Sequence, residues 1–414
     1  MATVQSFRPY RYAPSVGPLS NLVTQPYDKI SPAMRTRYLS LCPYNLVRII
    51  LGERFDSDDD AANVYTRAAD YLRDWISQGV LRQDSEPAFY PYFQEFTDPD
   101  SGERLTRKGF IGLGSLEEYS AGIVHRHEQT LSGPKKDRSE LLRSTRAHFG
   151  QIFMLYPDPQ NAVDQILDEA VTQTPLGEVT DEYGALHRLW KLSDPTLLSR
   201  IQQLMADKKL VIADGHHRYE TALAYSKENR SPAAQRVMMT FVNMHSPGLR
   251  ILATHRLVSG LANFDARRLS EQLADAGKVE TLPDAERFKT RFAVARPEAI
   301  TIGVAITGER AIHLLEAPRA KGELDVPFLH SRILEGMLGI GAEAVRDEKY
   351  LQYVRGIDAA LDAADKGQAQ VAFLLRPTTV EQVADVSFSG GVMPQKSTDF
   401  FPKLLSGLTV YKLD

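Results

Sequence analysis

Cysteine is almost absent from the 414 residues: Cys42 stands alone. One thiol excludes an internal disulfide and any zinc site with two or more cysteine ligands, and it fits a reducing, cytoplasmic setting. Long apolar runs are lacking too. None approaches the roughly 20 residues that span a bilayer, so no membrane partner is expected. The opening residues, MATVQSFRPYRYAP, lack the apolar centre of a secretory leader. Charge of one sign is also missing: 49 Lys and Arg face 53 Asp and Glu, a net of −4. That balance does not suggest a protein that holds nucleic acid through bulk charge. No repeat at periods of roughly 20–50 residues appears.

What remains is an ordinary globular composition, 43% apolar and 25% charged. Its length predicts two or three domains. Val64, Ala68, Leu72 and Trp75 fall at helical spacing and Gly79 stops them. The acidic run Asp56–Asp60 ahead of them reads as helix-terminal charge or as a metal-binding stretch. Residues 88–96 and 105–114 read as a hairpin. A helix is expected to begin within 139–153. From about 185, strands at 185–192, 210–213 and 236–243 alternate with helices at 195–206 and 219–228. Further helices at 265–276 and 284–295 precede strands at 299–305 and 311–315. The pattern predicts a mixed α/β (α+β) protein. Its divisions are expected at 1–160, 161–260 and 261–414.

The sharpest motif is Asp214-Gly215-His216-His217-Arg218. An apolar strand, LVIA, runs into a glycine turn and a helix opens directly after it. Glycine lets the backbone turn sharply and approach a ligand. The helix start offers backbone N–H groups and the positive end of its dipole. With two histidines and an arginine at the same place, the parts make an anion pocket suited to phosphate. An ordinary polar strand–helix turn is the plain alternative. A metal site on His216 and His217 is another, although adjacent histidines diverge on a helix.

A second cluster holds His125, His127, Glu128, Thr130, Lys135, Lys136, Asp137 and Arg138. H-E-x-x-H is absent, because Leu131 follows His127 by four residues, so a zincin reading fails. Glu128 beside cations suits a general base or a metal-facing carboxylate, with a solvated charged loop as the alternative. The third cluster is Met393-Pro394-Gln395-Lys396-Ser397-Thr398, with Pro402-Lys403 beyond. Lysine followed by two hydroxyl residues suits phosphate chemistry, but neither the Walker loop nor a kinase-type G-x-G-x-x-G occurs. Gln25-Pro26-Tyr27-Asp28 and Pro43-Tyr44-Asn45 read as rigid turns, with Asp28 and Arg48 as further candidates.

Taken together, TQPYDKIS, CPYNLVRI, the HEQT…DR pair, ADGHHRYETA, THRLV and MPQKSTDFFPKL resemble the family catalogued as domain of unknown function 1015. They fall in order from residue 25 to 404 and cover nearly the whole chain. In its D-G-x-H-R loop the family is similar to ParB/sulfiredoxin-like nucleotide-binding proteins and the free-serine kinases among them. The resemblance implies a ParB/sulfiredoxin-like unit around the Asp214 turn, placed in 161–260, with additional mixed domains. It implies an ATP-dependent kinase of free L-serine that yields O-phosphoserine. His216 stands where sulfiredoxins carry their reactive cysteine, so sulfiredoxin chemistry is not supported. A DNA-binding helix-turn-helix is not evident either.

Under this reading Asp214, Gly215, His216, His217 and Arg218 cradle the nucleotide. Lys396, Ser397 and Arg138 neutralise charge on the transferring phosphoryl group, and Thr398 joins Lys396 and Ser397 in binding the nucleotide. Glu128, or failing it Asp28, takes the proton of the serine hydroxyl. Mg²⁺ bridges phosphate oxygens, with Asp137 as a candidate ligand. The alternative is a nucleotide-binding regulatory module without catalysis.

Overall fold

The computed structural model describes residues 2–128, 132–172, 174–294 and 296–414. The chain is a mixed α/β protein. It divides into two compact units. One takes Met1–Arg126, Thr130–Arg250 and Pro402–Asp414; the other takes His127–Gln129 and Ile251–Phe401. This differs from the three consecutive segments expected from sequence. Position 160 lies within the first unit, whose main sheet draws strands from both sides of it. Strand pairing joins residues far apart in the chain, and local composition carries no trace of it.

In the first unit Leu210–Asp214 lies parallel to Val124–His125 and antiparallel to Ile152–Tyr156. Ile152–Tyr156 is parallel to Arg236–Asn243. An antiparallel series then continues through Arg104–Ser115, Tyr90–Thr97, Leu186–Leu189 and Gly177–Thr180. All five residues of Ile152–Tyr156 are buried. They fall within and beyond the stretch expected to start a helix. The helix is earlier, at Ser132–Thr145, and Arg146 leaves it with φ 51°. A short, continuously apolar run does not declare its period, which is why helix and buried strand look alike there.

Helix Pro195–Met205 is set by its ends: Pro195 opens it, and the Asp194 carboxylate accepts from the N–H groups of Thr196 and Leu197. Ile201 and Met205 then bury against the sheet beside Met154 and Tyr156. Each such side chain contributes roughly 1.5–3 kcal/mol by leaving water. The acidic run serves the loop before helix Val64–Ser77. Asp58 pairs with Arg67 at 2.6 Å, Asp59 accepts from Ala61 and Ala62, and Asn63 caps the helix.

The second unit is a six-stranded antiparallel sheet among the described residues. Its order is Lys278–Leu282, Ile312–Pro318, Ala299–Ile306, Val371–Leu375, His255–Val258 and Leu351–Val354. One face buries Ile302, Val304 and Phe373 with helix Ala266–Ala276. The other buries Leu314 and Leu374 with helices Ala285–Ala293 and Ile357–Asp365. Among the described residues no helix is long and apolar enough to cross a membrane.

Candidate functional site

Strand Leu210–Asp214 ends at Gly215, which takes φ 95°, and helix His216–Glu228 begins at the next residue. The left-handed backbone favours glycine. A Cβ at 215 would also lie 3.0–3.2 Å from the Arg218 guanidinium. Gly215 at the N-cap position makes no side-chain cap, and the positive end of the helix dipole there suits an external anion.

Arg218 folds back over the turn that precedes it. Its Nη2 donates to Asp214 Oδ2 at 2.7 Å and its Nη1 to the Gln151 carbonyl at 2.6 Å. Both ends of the fork expected to grip phosphate thus hold the turn together. Gly150 permits this approach, because a Cβ there would stand 3.1 Å from Arg218 Nη1. Asp214 Oδ1 receives Lys403 Nζ at 3.3 Å. Burial opposes ionisation of Asp214, but Lys403, Arg218 and Lys29 outweigh it and hold the carboxyl well below the usual carboxylate range.

The two histidines do not supply charge. His216 is 7% exposed, and burial, reinforced by His217, Arg126 and Arg218, lowers it to about 4 despite nearby Asp214. Burial and Lys135 lower His217 as well. Near neutral pH both rings offer hydrogen bonds, and the positive field comes from Lys29, Arg126, Lys135, Arg218 and Lys403.

Buried neutral histidines also set an acid limit on the fold. In the second unit His255 is 1% exposed, and burial and Arg256 lower it to about 4. Between the ordinary value of about 6.5 and about 4, the unfolded chain binds protons that His216 and His255 refuse. Stability is therefore full above about pH 6.5 and falls as pH drops toward 4. Thermal melts across this window should show that decline, and His255→Gln should make it shallower by removing one of the contributing histidines. A melting temperature independent of pH from 7 to 4 would show these histidines ionising freely in the fold.

Asp28 lies on the short turn Tyr27–Lys29, with Lys29 Nζ 3.9 Å from its carboxylate. Its charge is felt at His217 and Tyr27, so it belongs to the surroundings of the Gly215 turn. Arg138 lies over the Tyr27 ring at 4.2 Å and donates to the Ile50 carbonyl at 2.9 Å. Asp137, expected as a metal ligand, is committed elsewhere. Its carboxylate takes Arg54 at 2.7 Å, the Tyr65 hydroxyl at 2.9 Å and Arg138 Nε at 2.9 Å. It clamps Arg138 rather than presenting an open oxygen. Among the described residues no group of three His, Cys, Asp or Glu is arranged to hold a metal.

Sequence reasoning missed what aims Lys403. Arg107 is 1% exposed, donates through Nε to Gln94 Oε1 at 2.9 Å and also bonds the Pro402 carbonyl. Gln94 Nε2 donates to the Lys403 carbonyl at 2.9 Å. Burial lowers Arg107 to about 9. The signal was a cation at an inward position of an alternating strand, between buried Leu105 and Gly109.

In the second unit the HE and MPQKST segments meet. His127 Nε2 lies 2.8 Å from Thr398 Oγ1, which donates to Glu128 Oε1 at 3.3 Å. Lys396 takes φ 59°, and fully buried Arg256 holds its carbonyl at 2.9 Å. Ser397 spends its hydroxyl on the Pro394 carbonyl at 2.6 Å. It shapes the turn instead of offering a phosphate donor. Thr130, part of the second cluster, lies outside the described residues.

A known family matches the stretch that holds the motifs from TQPYDKIS to THRLV, while MPQKSTDFFPKL lies beyond it. The profile of the family described as "Protein of unknown function (DUF1015)" matches residues 4–332. No curated protein matches. Among solved structures, the chain is similar to a conserved hypothetical protein from Pyrococcus furiosus, at 14% identity and TM-score 0.36, covering 70% of this chain and 92% of that one. It is similar to a free serine kinase in complex with AMP, at 14% identity and TM-score 0.35, covering 69% and 89%. A third is SbnI with C-terminal truncation from Staphylococcus aureus, at 12% identity and TM-score 0.36, covering 73% and 87%.

Proposed function

The chain belongs to the DUF1015 family of proteins of unknown function, and from that premise we propose that it is an ATP-dependent phosphotransferase whose acceptor is free L-serine. The supporting observation is the Gly215 turn. The helix N-terminus after Gly215 stands beside Arg218 and Lys403, which pair with the ionised Asp214 carboxylate, and within the field of Lys29. Such a turn suits a polyphosphate better than it suits a neutral ligand. His216 and His217, neutral near pH 7, donate hydrogen bonds to phosphate oxygens.

Asp28 is the base in this reading, because it shares the unit and the electrostatic surroundings of the turn. Its carboxylate takes the proton of the serine hydroxyl as the hydroxyl oxygen bonds the terminal phosphorus and the bond to ADP breaks. The products are O-phosphoserine and ADP. Glu128, with Thr398 on its carboxylate, is the second candidate. Asp137 is not retained as a ligand. Magnesium carried by the nucleotide supplies further neutralisation of phosphate charge.

Incubation of the purified protein with ATP, Mg²⁺ and L-serine tests the proposal, with ³¹P NMR of the products. O-phosphoserine should form with equal loss of ATP, and ATP should persist when serine is omitted. ATP binding without turnover on any hydroxyl amino acid would favour a regulatory nucleotide-binding module.

A further inference from the structure

Beside Arg218 the first unit holds a cleft with about 70 Å³ of room. Its wall is mostly apolar, with Leu141, Leu142 and Phe149 among its residues, while Tyr27, Arg138, His148, Arg218, Thr221 and Ser406 form its polar part. One polar group in it is unexplained. Thr221 lines the cleft at 5% exposure, and its hydroxyl has no hydrogen-bond partner among the described residues. A buried hydroxyl without a partner is costly and marks a place where one is expected to arrive.

We propose that this cleft receives the edge of the purine base of the nucleotide, with Thr221 as the residue that reads it. The proposal rests on the Gly215 turn being the phosphate site. Arg218 and Thr221 are three residues apart on helix His216–Glu228 and therefore share a face. From His216 to Thr221 the helix rises about 7.5 Å. One helix thus presents a phosphate-binding end and, further along, a hydroxyl in an apolar cleft, in the order that a nucleotide presents phosphate and base. Tyr27 with Arg138 lying 4.2 Å over its ring gives a flat wall beside the cleft, the kind of surface against which a heterocycle packs. The room suits one edge of a two-ring base and leaves the ribose outside. An apolar pocket with a few placed polar groups is the usual form of such a site.

Calorimetric titration with ATP and, separately, with inorganic tripolyphosphate tests this on the full chain and on two variants. Thr221→Val keeps the shape and removes only the hydroxyl; it should melt at or above the wild-type temperature, because the group it loses is unpartnered. It should weaken ATP about 5–10-fold, the loss of one hydrogen bond, and leave tripolyphosphate unchanged. Leu142→Phe, which narrows the cleft, should do the same by exclusion. If both variants bind ATP like the wild type, or lose ATP and tripolyphosphate equally, the base is not in this cleft although the phosphate reading stands. If the wild type binds neither ligand, the phosphate site itself fails and this inference with it.

Discussion

Asp28→Asn is expected to lower serine-dependent ATP turnover by about 10²–10⁴-fold while ATP affinity stays within about twofold of wild type. The substitution keeps the shape and the hydrogen-bonding reach of the side chain but cannot accept the hydroxyl proton. Asp28 is well placed for this separation of effects. Its side chain is 42% exposed and its ionic contact with Lys29 is a long one, 3.9 Å, so little of the fold depends on it. Turnover measured at saturating ATP and serine isolates the chemical step. Glu128→Gln is the control. Its carboxylate accepts from Thr398 in the second unit, and its loss should leave turnover within about threefold. Should Glu128→Gln carry the large loss and Asp28→Asn keep wild-type turnover, the role of base passes to Glu128.

Arg218→Ala should weaken ATP binding by about 10-fold or more, because the phosphate turn loses both the clamp that shapes it and a nearby positive charge. The same change should destabilise the first unit by about 1–3 kcal/mol. Two causes add. The Asp214 carboxylate loses its 2.7 Å donor and the Gln151 carbonyl its 2.6 Å donor, so the turn loosens. The helix N-terminus also loses a cation from its surroundings. Arg218→Lys separates the two, since an ammonium restores charge but cannot bridge both acceptors as the planar fork does. Affinity should return in part, while the melting temperature should remain below wild type. Unchanged ATP affinity in Arg218→Ala would remove the Gly215 turn from nucleotide binding.

The strand, the glycine turn and the helix around Asp214 were legible in the sequence. Each is dictated locally: LVIA is a short apolar run, Gly215 is the residue that tolerates φ 95°, and the helix follows at once. Helix Pro195–Met205 and strand Arg236–Asn243 were legible for the same reason. The family, too, was legible, because its motifs are contiguous and keep their order. What each polar side chain does was not. Asp137 reads as an available ligand until Arg54, Tyr65 and Arg138 close on it from other parts of the chain. His216 reads as part of an anion pocket, but that its ring is neutral shows only once burial lowers it to about 4. Lys403 reads only as an appendage of the MPQKST cluster until Arg107 and Gln94, some 300 residues earlier, fix the Pro402 and Lys403 carbonyls. Local backbone preference and side-chain period are written in neighbouring residues, so sequence alone determined the turn and the elements around it. Burial and partnership depend on residues distant in the chain, so only the tertiary structure decided which charges are spent and which remain to meet a ligand.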